Sequence, residues 1–233
     1  MPSILITGSN RGIGLEIVRQ FAREGWRVYA TCRHPAEADA LQTLAAGEQG
    51  DVSIHRLDVT SPEDIRAMVW ELAGAPLDIL FNNAGIFLEQ DYHLPEPGGI
   101  RYDHWLRTFE VNTLGAVRVT EALADNVARG ERRLVAVMTS HMGSIADIDM
   151  PGSYYYRSSK AALNAAMRGL ATVLGKRGIG VLLLHPGGVA TRMGPEDGIP
   201  AEQAVSGLRA VMDDFALADS GSFRRFDGVV MPW

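Results

Sequence analysis

The chain alternates between short apolar runs and longer amphipathic segments, and this alternation limits its fold more than any other feature. The runs are nearly continuous and rich in Val, Ile and Leu, as is typical of strands buried on both faces. They lie at 3–8, 27–32, 52–57, 77–82, 133–140 and 180–186. Segments of helical length lie between them, including 12–24, 62–73, 103–127 and 155–176. The alternation predicts a parallel sheet with helices on both faces.

The segment 62–73 shows the helical pattern most clearly. Its residues Ile65, Met68, Val69 and Leu72 recur at i, i+3, i+4 and i+7, which places them on one face of a helix. The preceding TSPED (60–64) supplies Thr or Ser as a cap, Pro in the first turn, and acids near the positive helix end.

Length and composition exclude several classes of protein. The 233 residues carry a net charge of −6 without any Lys/Arg-rich run, which argues against nucleic acid or an anionic membrane surface as partner. Cys32 is the one cysteine, the first residues do not resemble a signal peptide, and no run reaches the about 18 apolar residues of a membrane span. These features predict one cytoplasmic domain over 1–233 and no membrane association.

A glycine-rich turn, TGSNRGIG (7–14), lies between the first apolar run and the first helical segment. Strand, turn and helix in this order are the context of a dinucleotide site, where phosphates meet the amides at the helix start. Gly8 permits the tight turn, Gly12 leaves room for a pyrophosphate, and Gly14 lets helix and strand approach. A purely structural turn is the alternative.

Two cations near this turn indicate which dinucleotide binds. An acid after the second strand would bind the ribose 2′-hydroxyl of NAD, whereas a cation accepts the 2′-phosphate of NADP. The chain has Arg33 after the second run and Arg11 within the glycine loop. We therefore expect NADP(H) rather than NAD(H), unless both arginines are solvated surface residues.

Tyr156 and Lys160 in YYYRSSK (154–160) are four residues apart, so a helix places them on one face. Tyr154 and Tyr155 do not have this spacing. A phenol has a pKa of about 10, and a nearby ammonium group lowers that pKa, which would suit it for proton transfer. The alternative is a tyrosine packed between helices, with a lysine that extends to water.

Together these motifs resemble the short-chain dehydrogenase/reductase family along essentially the whole chain. The motifs that carry the resemblance are TGSNRGIG (7–14), LDVTS (57–61), NNAG (82–85), VNTLG (111–115), MTSHMG (138–143), YRSSK (156–160) and HPGGVAT (185–191). The ending FRRFDGVVMPW (223–233) is similar to the carbonyl-reductase branch, which includes Sniffer-type reductases and C-factor-type signalling proteins.

The resemblance implies a single doubly wound α/β domain of Rossmann type with a seven-stranded sheet of order 3-2-1-4-5-6-7. Substrate loops at 87–100, 141–155 and 188–200 would be integrated into it. The implied activity is NADPH-dependent reduction of a ketone, aldehyde or quinone. The helical segments 103–127 and 155–176 would pair two copies into a homodimer, or four into a tetramer.

The resemblance also assigns roles to residues. Tyr156 would be the general acid, Lys160 would lower its pKa and bind the nicotinamide ribose, Ser140 would bind the substrate oxygen, and Asn112 would hold a water near Lys160. The positions implied to bind the cofactor are Gly8, Asn10, Arg11, Gly12, Ile13, Gly14, Arg33, Asp58, Val59, Asn83, Ala84, Gly85, Tyr156, Lys160, Pro186, Gly187, Val189 and Thr191. No metal is expected, because the six histidines lack metal-ligand spacing.

Some assignments leave alternatives open. Ser144 also lies near the end of the fifth run, although Ser140 fits the family motif better. Asn83 would instead be structural and connect neighbouring strands, and Asp58 would cap the 62–73 helix, a role that does not exclude contact with the cofactor. His141 follows Ser140 and either faces the substrate or is an ordinary, partly exposed histidine.

Apolar and aromatic residues dominate the three substrate segments and the C-terminal tail, which favours a carbonyl compound of moderate size over a sugar phosphate. These residues are Phe87, His93, Met142, Ile145, Tyr154, Met193 and Trp233. The segment 188–200 has glycine near both ends and is a candidate lid over the cofactor.

Two other functions compete with carbonyl reduction. A signalling protein of C-factor type would need only to bind NAD(P), although it would not need to keep Ser140, Tyr156 and Lys160 together. A 3-oxoacyl thioester reductase would present a basic patch beside the pocket for an acidic carrier. Arg129, Arg132 and Arg133 form the basic cluster available for that purpose.

Overall fold

The computed structural model describes residues 1–47, 50–89, 99–149 and 151–233. It contains a seven-stranded, fully parallel sheet with the order β3-β2-β1-β4-β5-β6-β7, so the predicted fold is confirmed. The strands are β1 (Ser3–Ile6), β2 (Arg27–Cys32), β3 (Asp51–Arg56), β4 (Ile79–Asn82), β5 (Leu134–Met138), β6 (Gly180–His185) and β7 (Ser222–Arg225). The six apolar runs correspond to β1–β6.

Helices connect the strands on both faces of the sheet. They are α1 (Gly12–Arg23), α2 (Asp39–Ala46), α3 (Pro62–Leu72), α4 (Tyr102–Phe109), α5 (Ala116–Ala128), α6 (Tyr154–Leu174) and α7 (Ala201–Asp213). The predicted helix 103–127 is divided, because a π-helical segment, Glu110–Gly115, joins α4 to α5. The helix α3 begins as expected, with the Ser61 hydroxyl accepting a hydrogen bond from the Asp64 amide at 3.1 Å.

Successive strand residues face opposite sides of the sheet and build two cores. Leu5 packs with residues of α3, α5 and α6 on one side. Ile4 and Ile6, its neighbours in β1, pack with α1, α2 and α7 on the other side. Because each face is covered, the strands are apolar at nearly every position rather than at every second one.

The loops that follow β1, β4, β5 and β6 all lie at the carboxyl edge of the sheet, where ligands bind in open α/β folds. In the part of the chain that the structure describes, no helix is long and apolar enough to cross a membrane. The same residues include no group of three or more His, Cys, Asp or Glu side chains arranged to hold a metal ion.

Candidate active site

Tyr156 lies in the first turn of α6, and its hydroxyl lies beside Ser140, which follows β5. The Phe87 ring lies against it, with ring centroids 4.6 Å apart. Burial raises the pKa of Tyr156 to about 12, and the hydrogen bond from Ser140 acts in the opposite direction. The phenol is therefore protonated at neutral pH and is placed beside a second hydroxyl.

Lys160 lies one turn further along α6 and is 3% exposed. Its Nζ donates a hydrogen bond to the Met138 carbonyl oxygen at 2.8 Å and lies 5.7 Å from the centre of the Tyr156 ring. Burial lowers the pKa of Lys160 to about 8. The predicted spacing of the two residues on one face is therefore present.

The expected lowering of the Tyr156 pKa by Lys160 is wrong for this structure. Burial is the dominant influence on the phenol, and its pKa lies above rather than below the ordinary value. The ammonium group donates to the Met138 carbonyl oxygen and lies 5.7 Å from the centre of the ring.

Ser140 and Ser144 are distinguished by their partners. The Ser140 Oγ accepts a hydrogen bond from the Met142 amide at 3.2 Å, and Ser140 is the side chain that lowers the pKa of Tyr156 against the effect of burial. The Ser144 Oγ donates to the Trp233 carbonyl oxygen at 3.3 Å and accepts from the Asp147 amide at 3.2 Å. Ser140 is thus the serine that the fold places at the candidate acid, while Ser144 connects a loop to the tail.

Asn112 lies in the π-helical segment, an irregularity that recurs at functional sites. Its Oδ1 accepts from the Ile86 amide at 2.8 Å, and its Nδ2 donates to the Ile86 carbonyl at 2.9 Å. A Cβ atom at Gly85 would lie 3.4 Å from Asn112 Oδ1 and 3.7 Å from Lys160 Nζ. Asn112 and Lys160 therefore both border Gly85, and the water between them stays a prediction.

The backbone of the glycine loop packs closely against neighbouring backbone. Gly8 has φ +68, and a Cβ there would lie 2.9 Å from Ala84 Cα. Gly14 is equally restricted, because its Cβ would meet the Gly8 carbonyl at 2.4 Å. These contacts require glycine at both positions whatever the loop binds.

The start of α1 fits a phosphate group. The residue before it, Arg11, makes no side-chain cap, and the first turn contains no acidic residue. The first-turn amides therefore have neither a side-chain acceptor nor a compensating negative charge, which is what an anion would supply. Asn10 and Gly12 lie at this turn, whereas Ile13 is turned partly into the core.

Asn83 contacts the backbone of the glycine loop. Its Nδ2 donates to the Thr7 and Gly8 carbonyls, both at 2.9 Å. The amides of Asn83 and Ala84 donate to the Thr7 hydroxyl, both at 3.0 Å. This geometry favours the structural role for the Asn83 amide, and contact of Asn83 with the cofactor stays a prediction.

On the predicted adenosine side, Arg11 and Arg33 are both exposed. Burial alone would raise the pKa of Asp58. Hydrogen bonds from the Thr60 amide (2.9 Å) and the Thr60 hydroxyl (2.7 Å) oppose this effect, as do the positive charges of Arg107 and Arg33. The pKa of Asp58 therefore lies below its ordinary value. The alternative that Asp58 caps α3 is wrong, because Ser61 does so. The Val59 side chain is buried in the core.

The segment after β6 folds back towards the glycine loop. Val189 forms a β-bridge with Ile199, and the Ala190 amide donates to the Ile199 carbonyl at 2.9 Å. Thr191 lies next to the glycine loop, since a Cβ at Gly12 would lie 3.7 Å from its Cγ2. Pro186 is buried, and Gly187, with φ +84, packs closely on Phe226. The predicted lid thus borders the phosphate-type turn.

His185 is a residue of the site that the sequence reasoning missed. Its ring lies 4.9 Å from that of His141, centroid to centroid. Burial, together with His141 and Arg225, lowers the pKa of His185 to about 3. Burial and the charge of Arg157 also lower the pKa of His141. Both rings are therefore neutral at pH 7. The signal in the sequence that could have identified His185 was its position just before Pro186.

Two further missed residues lie beside Tyr156. Tyr155 is buried, its hydroxyl accepts from the Arg101 amide at 2.6 Å, and its ring stacks on Trp105. Glu89 is a buried carboxylate whose Oε2 accepts from the Tyr156 amide at 2.9 Å. Neither residue has a spacing or motif of its own from which to infer these contacts.

The predicted substrate residues fall into separate groups. Phe87 contacts Tyr156, and Met142 follows the Ser140 turn. Trp233 does not adjoin the phenol, because its ring packs on Arg168 (4.7 Å) and Phe223 (5.7 Å). Ile145, Tyr154 and Met193 are exposed. His93 lies outside the described residues, as do 90–98 of the predicted loop 87–100 and residue 150 of the loop 141–155.

Comparison with known proteins agrees with this fold. The family model for short chain dehydrogenases matches residues 2–199, and the chain belongs to that family. The 1-hydroxy-2-glutathionyl-2-methyl-3-butene dehydrogenase of Rhodococcus sp. (strain AD45) is 36% identical over 240 residues, covering 100% of both chains. C-signal of Myxococcus xanthus is 40% identical over 170 residues, which are 72% of this chain and 100% of that protein.

Solved structures give the same result. NADPH-bound carbonyl reductase from chicken fatty liver superposes with a TM-score of 0.90 at 30% identity, covering 100% of this chain and 99% of that one. Carbonyl reductase Sniffer of D. melanogaster has a TM-score of 0.90 at 29% identity, covering 100% of both. The predicted resemblance to the carbonyl-reductase branch is confirmed, and the protein is an oxidoreductase of this type.

Proposed function

We propose that this protein reduces the carbonyl group of a ketone, aldehyde or quinone with NADPH, and that Tyr156 donates the proton. The observation that carries the proposal is the position of the Tyr156 hydroxyl beside Ser140 at the carboxyl edge of the sheet, with Lys160 Nζ 5.7 Å from the centre of the Tyr156 ring. A carbonyl oxygen bound next to these two hydroxyl groups would accept a hydrogen bond from each.

The cofactor would supply hydride to the carbonyl carbon. Tyr156 then transfers its proton to the carbonyl oxygen, and Ser140 donates a hydrogen bond that stabilises the negative charge developing there. The raised pKa keeps the phenol protonated at neutral pH. Lys160, whose Nζ lies 5.7 Å from the centre of the Tyr156 ring, would bind the nicotinamide ribose.

The residues of the glycine loop would hold NADPH. Gly8, Gly12 and the first amides of α1 would receive the pyrophosphate, and Arg11 and Arg33 would bind the 2′-phosphate. Support comes from the uncapped start of α1 and from the neighbours, since the chicken carbonyl reductase is described as NADPH-bound. We also propose a cytoplasmic location, in keeping with a single, buried and unpaired cysteine, Cys32.

The position of the basic cluster does not support thioester reduction. Arg129, Arg132 and Arg133 precede β5 and therefore lie at the amino edge of the sheet, whereas Ser140 follows β5 at the carboxyl edge. Arg132 pairs with Asp213 at 2.7 Å, and Arg133 donates to the Gly130 carbonyl at 3.1 Å. An acidic carrier bound there would lie at the opposite edge of the sheet from Ser140 and Tyr156.

The test is NADPH oxidation at 340 nm by the purified protein against ketones, aldehydes and quinones, with Tyr156→Phe assayed in parallel. General acid catalysis contributes about 10²–10⁴-fold, so the variant should lose at least a hundredfold in kcat. Tyr154→Phe is the matched control, because Tyr154 is an exposed neighbour in the same turn.

The assay also separates the competing function. Tight NADPH binding without turnover on any compound would contradict carbonyl reduction and favour a signalling protein that uses only the dinucleotide. Equal turnover by parent and Tyr156→Phe would retain the reductase but exclude Tyr156 as its acid.

A further inference from the structure

The helix that carries the candidate acid begins without a cap of its own. Ser153 precedes α6 with φ 52, and its side chain makes no hydrogen bond to the first turn. The first turn also contains no acidic residue. The amides of a helix start lack partners within the helix and form its positive end, so they require an acceptor from elsewhere.

Glu89 supplies that acceptor from another part of the chain. It is 6% exposed, and its Oε2 accepts a hydrogen bond from the Tyr156 amide at 2.9 Å. A carboxylate is stable in such a place only when hydrogen bonds or positive charge compensate for its burial. The donor is the backbone of the candidate acid itself, 67 residues away in sequence.

Glu89 belongs to a short segment that contacts both sides of the site. We call residues 86–89 the strap. Its Ile86 backbone exchanges hydrogen bonds with the Asn112 amide at 2.8 and 2.9 Å. Its Phe87 ring lies 4.6 Å from the Tyr156 ring, and Glu89 binds the Tyr156 amide. The strap therefore links Asn112 to both the side chain and the backbone of Tyr156.

We propose that Glu89 is a positioning residue, whose side-chain oxygen, as the acceptor for the Tyr156 amide, fixes the first turn of α6 and so holds the Tyr156 hydroxyl beside Ser140. This inference rests on the proposed function, because it assigns a catalytic consequence to the cap. A displacement of about 1 Å in a reacting group can cost about a hundredfold in rate. Because the cap is on the Tyr156 amide itself, its loss should affect turnover more than the binding of NADPH.

Two substitutions distinguish the role of Glu89 as a hydrogen-bond acceptor from the role of its negative charge. Glu89→Gln keeps an amide oxygen at similar reach for the Tyr156 amide, whereas Glu89→Ala removes the acceptor. Asp78→Ala is the matched control. Asp78 is 7% exposed and accepts from the Ser3 and Glu131 amides, both at 2.8 Å, at the amino edge of the sheet.

The expected result is a split between kcat and binding. Glu89→Ala should lower kcat at least tenfold, while its Kd for NADPH stays within about twofold of the parent value. Glu89→Gln should keep at least a third of the parent kcat. Asp78→Ala should lower Tm without that fall in kcat, because it removes a comparable buried acceptor of backbone amides at the opposite edge of the sheet from Tyr156. Unchanged kcat in a folded Glu89→Ala protein overturns the proposal, as does an equal loss of kcat in Glu89→Gln.

Hydrogen exchange tests the cap without relying on turnover. The Tyr156 amide should exchange at least tenfold faster in Glu89→Ala than in the parent, and within threefold of the parent in Glu89→Gln. A parent that turns over no carbonyl compound contradicts the proposed function and removes the catalytic consequence, while exchange still decides whether Glu89 caps α6. Unchanged exchange in Glu89→Ala overturns the cap itself.

Discussion

Lys160 Nζ lies 5.7 Å from the centre of the Tyr156 ring while it donates to the Met138 carbonyl at 2.8 Å. Burial affects the two side chains in opposite directions. It lowers the pKa of Lys160 to about 8 and raises that of Tyr156 to about 12. In both cases the neutral form is favoured, as burial alone requires.

The lowered pKa of Lys160 predicts a rise in stability with pH. Between its folded pKa of about 8 and its ordinary value of 10.5, the unfolded chain binds more protons than the folded one, so the free energy of unfolding increases. Relative to Lys160→Met, the parent should gain about 2 kcal/mol between pH 7 and 9.5.

Urea unfolding at several pH values checks this expectation. Tyr156 contributes the opposite slope, because its folded pKa is raised, but only between its ordinary value of 10.0 and about 12, above the range measured. Lys176→Met is the control, since Lys176 is exposed. Parallel stability curves for the parent and Lys160→Met would contradict the buried ammonium group.

The contact between Gly8 and Ala84 predicts a specific cost for adding one methyl group. Gly8 and Gly25 have similar φ values, +68 and +75, so alanine is strained at both. Only at Gly8 would the new Cβ meet backbone, at 2.9 Å from Ala84 Cα, whereas nothing lies within 4 Å at Gly25.

Gly8→Ala should therefore be less stable than Gly25→Ala by about 1–3 kcal/mol, the usual cost of overpacking. Chemical denaturation of the two variants measures the difference directly. Equal losses would mean that backbone strain, rather than the close approach of the two loops, is why glycine is needed at position 8.

The sequence predicted the sheet well because its strands are buried on both faces, which makes them continuous apolar runs. The run 27–32 coincides with β2 (Arg27–Cys32). It did not predict the π-helical segment at Glu110–Gly115, because the apolar stripe continues through it and the irregularity depends on the contact of Asn112 with Ile86. The seventh strand came from the family resemblance alone.

Local spacing identified Tyr156 and Lys160 as a pair, since four residues make one helical turn. It could not give the direction of the Tyr156 pKa shift, because burial depends on which chain segments cover the phenol. Glu89 and His185 were missed for the same reason. Their partners, Tyr156 and His141, are 67 and 44 residues away, and no local pattern marks contacts at that separation.

The two exposed arginines predict cofactor preference. Hydrogen bonds between charged groups contribute about 1.5–3 kcal/mol each, so Arg11→Ala/Arg33→Ala should weaken NADPH binding by at least tenfold and leave NADH binding unchanged. Titration calorimetry with both dinucleotides measures this. The control is Arg23→Ala at the other end of α1. Unaltered NADPH affinity in the double variant would refute the assignment.

The apolar surface of α4 predicts an association of two copies, or of two such pairs. Tyr102 and Leu106 are 68% and 73% exposed and, being four residues apart, share one face; Leu114 is also exposed. Burying this face against a second copy would remove the apolar patch from water.

Light scattering should give at least twice the chain mass of 25.3 kDa, and Leu106→Glu should reduce it to one chain. Leu217→Glu is the control, because Leu217 is exposed outside both predicted interface helices. A parent protein with the mass of a single chain would exclude the assembly.

Ser140 and Ser144 lie four residues apart after β5, and their different partners predict different consequences of removal. Ser140 lies beside the Tyr156 hydroxyl, so Ser140→Ala deletes a donor to the developing negative charge and should lower kcat by about 10²–10³-fold. Ser144 bonds the Trp233 carbonyl and the Asp147 amide, so Ser144→Ala should lower Tm and change kcat by less than threefold. The reverse order of effects on kcat would mean that substrate binds nearer the tail than the Tyr156–Ser140 pair indicates.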